Sequence, residues 1–243
     1  MLESGEMSAT LVTPTPLSEL ADAKALAALI DHTLLRPEAT AAQISAHCEQ
    51  ALHYGFATVF VHPHWLALAA NLLRDSAVKL GTPVGFPFGA ALTSIKRAEA
   101  EAAIRLGAQE LDMVINLGAL KSGDRARVEY DIRGVAQIAH TNGTLLKVII
   151  ETGLLSMDEK ILACELSVAA GADFVKTCTG INGGAATVDD IALMRGVVGR
   201  RAGVKASGGI RTAPALHALV AAGANRIGTT TGVQIMSSFG AAL

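Results

Sequence analysis

The chain has 243 residues, of which 51% are hydrophobic and 17% are charged, and its formal net charge is −2. This apolar content excludes an intrinsically disordered protein and is sufficient for one large core. The sequence has no run of Lys and Arg that resembles a polyanion-binding stripe, which argues against nucleic acid as a partner.

The cysteines and the N-terminal residues bear on the compartment. Cys48, Cys164 and Cys178 are too few and too scattered for a disulfide framework or a zinc knuckle, which favours a reducing cytoplasm. No segment reaches the roughly 20 apolar residues of a membrane span. Residues 1–17 contain no Lys or Arg, so we predict a loose tail there rather than a targeting signal. We therefore expect a cytoplasmic protein without a membrane partner, folded over residues 18–243.

From about residue 20 onward, short runs rich in β-branched residues alternate with longer Ala-rich amphipathic stretches. In chain order, the predicted strands are Leu29–Thr33, Ala57–His62, Thr82–Phe86, Glu110–Asn116, Leu145–Glu151, Asp173–Thr177, Gly203–Ser207 and Arg226–Thr229. The predicted helices include Thr40–Leu52, Thr93–Leu106, Gly123–His140, Met157–Ala170, Val188–Val198 and Pro214–Ala222.

Four glycines support this division of the chain. Gly55, Gly107, Gly171 and Gly223 each end a predicted helix and precede a strand, at intervals of 52, 64 and 52 residues. Each interval fits two strand–helix units. Eight units in a chain of this length predict an α/β protein, a single-domain (β/α)8 TIM barrel with a short N-terminal extension and helix. A doubly wound sheet is the alternative, but residues 31–37 are not a Gly-rich dinucleotide loop.

Two lysines, Lys176 and Lys205, each end a β-like run and lie 29 residues apart, which is close to one strand–helix repeat. Burial disfavours the ammonium form of a lysine, and a second ammonium nearby lowers the pKa further. At ~4 Å and an effective dielectric constant of ~20, the repulsion is roughly 4 kcal/mol, or about three pKa units. Such a lysine is nucleophilic near neutral pH, so the pair predicts Schiff-base chemistry. Either lysine alone would be interpreted as a strand-end residue that reaches solvent.

Other polar residues stand where the predicted strands end, and in a barrel the functional groups gather at these carboxyl ends. Alternation places Asp112, Val114 and Asn116 on one face of the fourth strand. A buried carboxylate needs a cationic partner, and a lysine is the natural one. Asp112 could be only a structural counter-ion, but among three strand lysines, of which Lys147 is the third, we interpret it as a proton-transfer residue.

Gly-rich turns follow the seventh and eighth predicted strands, at residues 207–211 and 228–232. The loops after these strands form the usual phosphate cradle of a TIM barrel, through backbone N–H groups and a short helix N-terminus. Tight turns need glycine in any case, but glycines at these positions favour a phosphorylated substrate. His62 and His64 suggest a metal site, yet no carboxylate–histidine–cysteine set completes it, and we predict no metal.

Six runs together resemble the deoxyribose-phosphate aldolase family, whose members are class I aldolases. They are Ile30–Leu35, Gly85–Gly89, Glu110–Asn116, Leu146–Thr152, Phe174–Thr177 and Val204–Thr212. The resemblance covers nearly the whole chain and implies reversible cleavage of 2-deoxy-D-ribose 5-phosphate to D-glyceraldehyde 3-phosphate and acetaldehyde, a step of deoxyribose phosphate catabolism. It also implies that the enzyme needs no metal and no cofactor, because an iminium polarises the substrate.

The resemblance assigns roles to individual residues. Lys176 forms the Schiff base, Lys205 perturbs it and shares in proton transfer, and Asp112 is the acid/base carboxylate. The residues implied to bind the sugar are Asp31, Thr33, Lys147 and Thr177. Those implied to hold the phosphate are Gly180, Gly208, Gly209, Thr230 and Thr231.

Four positions depart from the pattern of many relatives. Ile181 replaces a phosphate-contacting lysine of one branch, so phosphate binding must depend more on backbone N–H groups. Residues 238–243 lack the C-terminal tyrosine that assists proton transfer in some members, which leaves that role empty or filled by water. Phe60 and Cys178 replace a cysteine and a serine, and we expect the mechanism to be retained.

Three other functions remain open from the sequence. They are a related Schiff-base barrel for another phosphorylated sugar, a barrel that binds a sugar phosphate without turnover, and a metal-dependent aldolase. The apolar composition is consistent with a buried subunit surface, as in a homodimer or homotetramer.

Overall fold

A computed structural model describes Thr13 and residues 22–240. Eight parallel strands pair in sequence order, and the eighth pairs with the first to close a barrel. The strands are β1 (Ile30–Leu34), β2 (Thr58–Val61), β3 (Lys79–Val84), β4 (Glu110–Val114), β5 (Leu145–Ile149), β6 (Phe174–Lys176), β7 (Gly203–Ser207) and β8 (Arg226–Thr229). The predicted (β/α)8 TIM barrel is therefore confirmed.

Helices follow the strands and form the outer layer. They are α1 (Ala23–Ala27), α2 (Ala41–Tyr54), α3 (Leu66–Leu73), α4 (Thr93–Arg105), α5 (Leu117–Lys121), α6 (Arg125–Thr141), α7 (Met157–Ala169), α8 (Val188–Val198), α9 (Ala213–Ala221) and α10 (Gly232–Gly240). Two 3₁₀ turns, Pro63–Trp65 and Thr152–Leu154, lie in the loops after β2 and β5.

Local sequence explains where several helices begin and end. Thr40 forms a capping box with Gln43 at the start of α2, and Ser156 forms one with Glu159 at the start of α7. Gly55 ends α2 with φ 69°, a left-handed conformation that glycine adopts without the steric cost of a β-carbon.

Six of the eight predicted strands have different bounds in the structure, and β3 and β4 are two of them. β3 begins at Lys79, because that residue pairs with Thr58 of β2, and it ends at Val84 because Gly85 turns the chain with φ 65°. β4 ends at Val114, so Asn116 does not share a strand face with Asp112. Its side chain instead accepts a hydrogen bond from the Ala119 N–H and caps α5.

The apolar core lies between the strands and the helices, whereas the inside of the barrel is largely polar. Outward-facing strand residues such as Val148 and Val204 pack against the helices. Inside the barrel, the rings of Phe60 and Phe174 occupy the space that the missing side chains of Gly81 and Gly203 leave. The inward face is therefore filled by two aromatic rings and a set of charged side chains.

The predicted tail over residues 1–17 lies outside the described residues, apart from Thr13, and the domain boundary at residue 18 stays a prediction. Among the helices of the described residues, none combines the length and the apolar character that crossing a bilayer requires.

The fit of Phe174 against Gly203 predicts the effect of one substitution. Gly203→Ala places a β-carbon inside the Phe174 ring, so we expect it to lower the free energy of unfolding by about 1–3 kcal/mol, as overpacking does. Gly196→Ala in α8 meets no atom within 4 Å and should raise stability by about 0.4–1 kcal/mol. Urea denaturation of both variants checks this, and an unaffected Gly203→Ala would contradict the packing.

Candidate active site

A cavity of about 310 Å³ opens at the carboxyl ends of the strands, beside the loops that follow β1, β6, β7 and β8. The backbone of the glycine turns and several hydroxyl groups line it, as expected for a polar ligand. The polar and glycine positions around it are Thr33, Arg36, Thr179, Gly180, Ser207, Gly208, Gly209, Arg211, Gly228, Thr229 and Thr230.

Asp112 is fully buried inside the barrel and contacts three lysines, one from each of the three strands that follow β4. Its Oδ2 is 2.9 Å from Lys176 Nζ and 2.7 Å from Lys205 Nζ, and its Oδ1 is 3.0 Å from Lys147 Nζ. The strand register explains this, because Asp112 pairs with Lys147 across β4 and β5, and Lys176 pairs with Lys205 across β6 and β7. The predicted catalytic residues are thus in direct contact.

Two further carboxylates and an arginine complete the cluster. Asp31 Oδ2 lies 2.5 Å from Lys205 Nζ, and Glu110 Oε2 lies 2.5 Å from Lys147 Nζ. Arg226 Nη1 is 2.7 Å from Asp31 Oδ1 and 3.1 Å from Glu110 Oε2. We call these seven side chains the barrel cluster; its members are Asp31, Glu110, Asp112, Lys147, Lys176, Lys205 and Arg226.

The barrel cluster contains three carboxylates and four basic groups, so it cannot be neutral with every group ionised. Burial would raise the pKa of Asp112, but the ammonium groups of Lys147, Lys176 and Lys205 outweigh burial and hold it well below its usual range. For Asp31, Arg226, Lys205 and Lys147 likewise outweigh burial and lower the pKa.

The three lysines of the barrel cluster differ. Burial lowers the pKa of Lys205 to about 8, even though Asp112 and Asp31 favour its ammonium form. Burial would lower the pKa of Lys147 as well, but Asp112 and Glu110 outweigh burial and raise it above its usual value. Lys205 is therefore suited to exchange a proton near neutral pH, whereas Lys147 stays a fixed ammonium.

Lys176 is the lysine of the cluster that solvent reaches most easily. Its side chain is 6% exposed, against 1% for Lys205 and 0% for Lys147. The Phe60 ring lies beside all three amines, with its centroid 4.1 Å from Lys205 Nζ, 5.0 Å from Lys147 Nζ and 5.8 Å from Lys176 Nζ. Lys176 does not line the cavity, but of the three lysines it is the one that a small electrophile can reach most easily.

The residues predicted to hold a phosphate mostly line the cavity. Gly180, Gly208, Gly209 and Thr230 do so, and the three glycines have φ between 75° and 98°. Thr231 is not among the lining residues. Its hydroxyl donates a hydrogen bond to the Ile210 carbonyl oxygen and lies 3.0 Å from that of Thr229, so it holds the turn together.

The residues predicted to bind the sugar are placed at different depths. Thr33 lines the cavity, whereas Asp31 and Lys147 lie in the barrel cluster beneath it. The Thr177 hydroxyl donates to the Ser207 carbonyl oxygen and accepts from the Ser207 N–H, which fastens β6 to β7. Both hydrogen bonds of the Thr177 hydroxyl are thus made with the Ser207 backbone, and Thr177 does not line the cavity.

Some residues of the site were missed by sequence reasoning. Glu110 and Arg226 carry the same inward alternation as Asp112 and Gly228, so the period-2 pattern could have found them. Arg36 and Arg211 stand in loops beside the cavity, where no periodicity applies. Across residues 13 and 22–240, no group of three or more His, Cys, Asp or Glu side chains is arranged to hold a metal ion.

Comparison with known proteins identifies the family of the chain. Residues 25–238 match the family model described as "DeoC/LacD family aldolase". The chain belongs to this family of aldolases. It is 54% identical to deoxyribose-phosphate aldolase 1 of Bacillus licheniformis over 88% of this chain and 95% of that protein. It is 52% identical to the deoxyribose-phosphate aldolase of Thermococcus gammatolerans, over 87% and 95%.

A solved structure shows the same fold. The deoxyribose phosphate aldolase of Aeropyrum pernix, which is described as tetrameric, superposes with a TM-score of 0.87 at 33% identity. The match covers 93% of this chain and 96% of that one. The family resemblance that the sequence motifs indicated is confirmed.

Removal of the central carboxylate should destabilise the barrel. Asp112→Asn leaves two carboxylates for four basic groups, and we expect the free energy of unfolding at pH 7 to fall by about 3–5 kcal/mol. Asp112 is ionised in both states at pH 7, since its unfolded pKa is ~3.9, so its full contribution is lost.

The pH dependence gives a second test of the same variant. The remaining lysines lose a counter-ion, so their folded-state pKa falls and the unfolded state binds more protons than the folded state up to pH ~10.4. The deficit of Asp112→Asn should therefore shrink between pH 7 and pH 9. Urea denaturation at both values, with exposed Asp75→Asn as the control, measures this; an equal deficit at both would contradict it.

Proposed function

We propose that this protein is a class I aldolase that reversibly cleaves 2-deoxy-D-ribose 5-phosphate to D-glyceraldehyde 3-phosphate and acetaldehyde, with Lys176 as the Schiff-base lysine. The observation that carries the proposal is the position of Lys176. It is the most accessible of three lysines that share the Asp112 carboxylate, and it ends β6, whose following loop lines the cavity with Thr179 and Gly180. The names of the relatives support the substrate.

The nucleophile is prepared by a proton transfer inside the barrel cluster. The same oxygen of Asp112 contacts Lys176 and Lys205, at 2.9 and 2.7 Å. Because the pKa of Lys205 is lowered to about 8, its neutral amine is populated near neutral pH and provides a base beside Lys176. The amine of Lys176 attacks the C1 aldehyde carbon of the open-chain sugar and gives its proton to this base, and formation of the imine draws the transfer forward.

The carbon–carbon bond breaks after the imine has formed. Loss of water gives an iminium between Lys176 and C1, and Asp112, acting through Lys205 or a water molecule, takes the proton of the C3 hydroxyl. The C2–C3 electron pair moves into the iminium, which releases D-glyceraldehyde 3-phosphate and leaves an enamine on Lys176. Protonation of the enamine at C2 and hydrolysis then release acetaldehyde and restore the amine.

The phosphate is held by the backbone of the turns and by nearby arginines. The glycines of the β6, β7 and β8 loops let N–H groups approach a phosphate closely. Ile181 brings no charge to the cavity, and Arg36 and Arg211 stand beside it instead. We assign to these two arginines the positive charge that a lysine supplies in some relatives.

We further propose a cytoplasmic enzyme that assembles as a homodimer or homotetramer. The three scattered cysteines support a reducing compartment. The tetrameric description of the Aeropyrum pernix enzyme supports an oligomer.

Trapping of the imine tests the proposal. Sodium borohydride added with 2-deoxyribose 5-phosphate or acetaldehyde should reduce the imine to a stable secondary amine, which peptide mass mapping should locate on Lys176. Lys176→Met should abolish the adduct, and exposed Lys79→Met should not. An adduct on Lys205 or Lys147 would overturn the role of Lys176. A folded protein without an adduct or acetaldehyde release would contradict the aldolase. Loss of activity with EDTA would favour a metal-dependent enzyme.

A further inference from the structure

Glu151 has an unusual backbone conformation at the end of the barrel strands. It follows β5, is fully buried, and has φ 60° and ψ 61°. Among the described residues, it is the one non-glycine residue with positive φ. A bulky residue in this left-handed region is strained, and such strain persists where the surrounding structure enforces it, often at functional sites.

The Glu151 carboxylate accepts several hydrogen bonds from the loop between β6 and α8. It accepts hydrogen bonds from the Thr179 N–H at 3.1 Å, the Thr179 hydroxyl at 2.7 Å and the Asn182 amide at 2.9 Å. It forms no ion pair with any residue that the structure describes. The hydrogen bonds from the loop therefore stabilise the buried negative charge of Glu151, which has no cation beside it among the described residues.

These contacts extend from Glu151 to the loop after β3. The Thr179 hydroxyl accepts a hydrogen bond from the Ile181 N–H at 3.1 Å, and the Asn182 amide also donates to the Pro87 carbonyl oxygen at 3.3 Å. Through these hydrogen bonds, Glu151 fixes the backbone of residues 179–182. We call this arrangement of Glu151, Thr179 and Asn182 the loop clamp.

The segment that the loop clamp fixes forms one wall of the cavity. Thr179, Gly180 and Ile181 line it together with Gly208 and Gly209 of the β7 loop. Ile181 offers no charge, and the N–H groups of Thr179 and Ile181 already donate to Glu151 and to the Thr179 hydroxyl. A phosphate on this wall therefore depends on the direction of the remaining backbone N–H groups of the segment, such as that of Gly180. The direction of these groups depends in turn on the hydrogen bonds to Glu151.

We propose that Glu151 is a positioning residue that fixes the β6–α8 loop for the phosphate of the substrate and so makes the enzyme selective for phosphorylated sugars. The inference rests on the proposed function. Glu151 does not act on the reacting carbons, because its carboxylate is already occupied by three donors of the loop. Its loss should therefore weaken phosphate binding and leave the imine chemistry unchanged.

The test compares a substrate that has the phosphate with one that lacks it. Glu151→Gln keeps the side-chain shape but turns an N–H₂ group toward the loop donors, so at least one hydrogen bond to a charged group is lost. We expect kcat/KM for 2-deoxyribose 5-phosphate to fall at least about tenfold, mainly through KM. We expect kcat/KM for 2-deoxyribose to change less than about threefold. Glu165→Gln on the exposed face of α7 is the control and should change neither.

A second variant protects the test against misfolding of the first. Asn182→Ala removes one of the three donors, and we expect the same selective loss with a smaller factor of about threefold. Equal losses for both substrates in the folded variants, or no loss for either, would overturn the loop clamp.

Binding of inorganic phosphate, measured by calorimetry, separates the loop clamp from the aldolase reaction. If the wild-type protein forms no imine with either sugar, the proposed function fails, but a phosphate Kd that is about tenfold weaker in Glu151→Gln than in Glu165→Gln still supports the clamp. An equal Kd in the two variants, or no phosphate binding to the wild type, overturns it.

Discussion

The contact of one carboxylate with three lysines is the constraint on which the rest of this structure depends. Asp112 lies within 3.0 Å of the amines of Lys147, Lys176 and Lys205. With Asp31, Glu110 and Arg226 included, the buried cluster has one basic group more than it has carboxylates. A buried unpaired charge is costly, and the least costly response is to release a proton from one lysine. The pKa of Lys205 is accordingly lowered to about 8, so a free amine is populated inside the barrel near neutral pH.

The strand register of the barrel accounts for this arrangement of charged side chains. Neighbouring parallel strands carry inward residues at matching heights, so the register alone brings Lys176 beside Lys205 and Asp112 beside Lys147. The energy for folding comes from the apolar layer outside the strands, which leaves the interior free to carry charges. The proposed Schiff-base lysine and the proposed phosphate-binding wall are neighbours in the chain, since Lys176 ends β6 and residues 179–181 belong to the loop that follows it.

The sequence was sufficient for features that depend on local pattern. Alternation, spacing and turn chemistry were enough to predict the bounds of β7 and β8, the glycines that end the helices, and the pairing of Lys176 with Lys205. The sequence was insufficient where contacts between residues distant in the chain determine the conformation or the hydrogen-bond partners of a residue. The hydrogen-bond partners of the Thr177 and Glu151 side chains lie 28–31 residues away in the sequence. The left-handed backbone of Glu151 follows from those tertiary contacts, since local propensity disfavours it.

The most direct test of this account is an NMR titration of the lysine amines in the free protein, with ¹³C- or ¹⁵N-labelled lysine and Lys205→Met for assignment. We expect a Lys205 pKa of about 8, because burial outweighs the carboxylates of Asp112 and Asp31 that favour its ammonium form. We also expect Lys147 to stay protonated well beyond that pH, since the pKa of Lys147 is raised by its carboxylates. A Lys205 amine that keeps its proton through pH 10 would contradict the claim that burial inside the barrel creates a free amine in the barrel cluster.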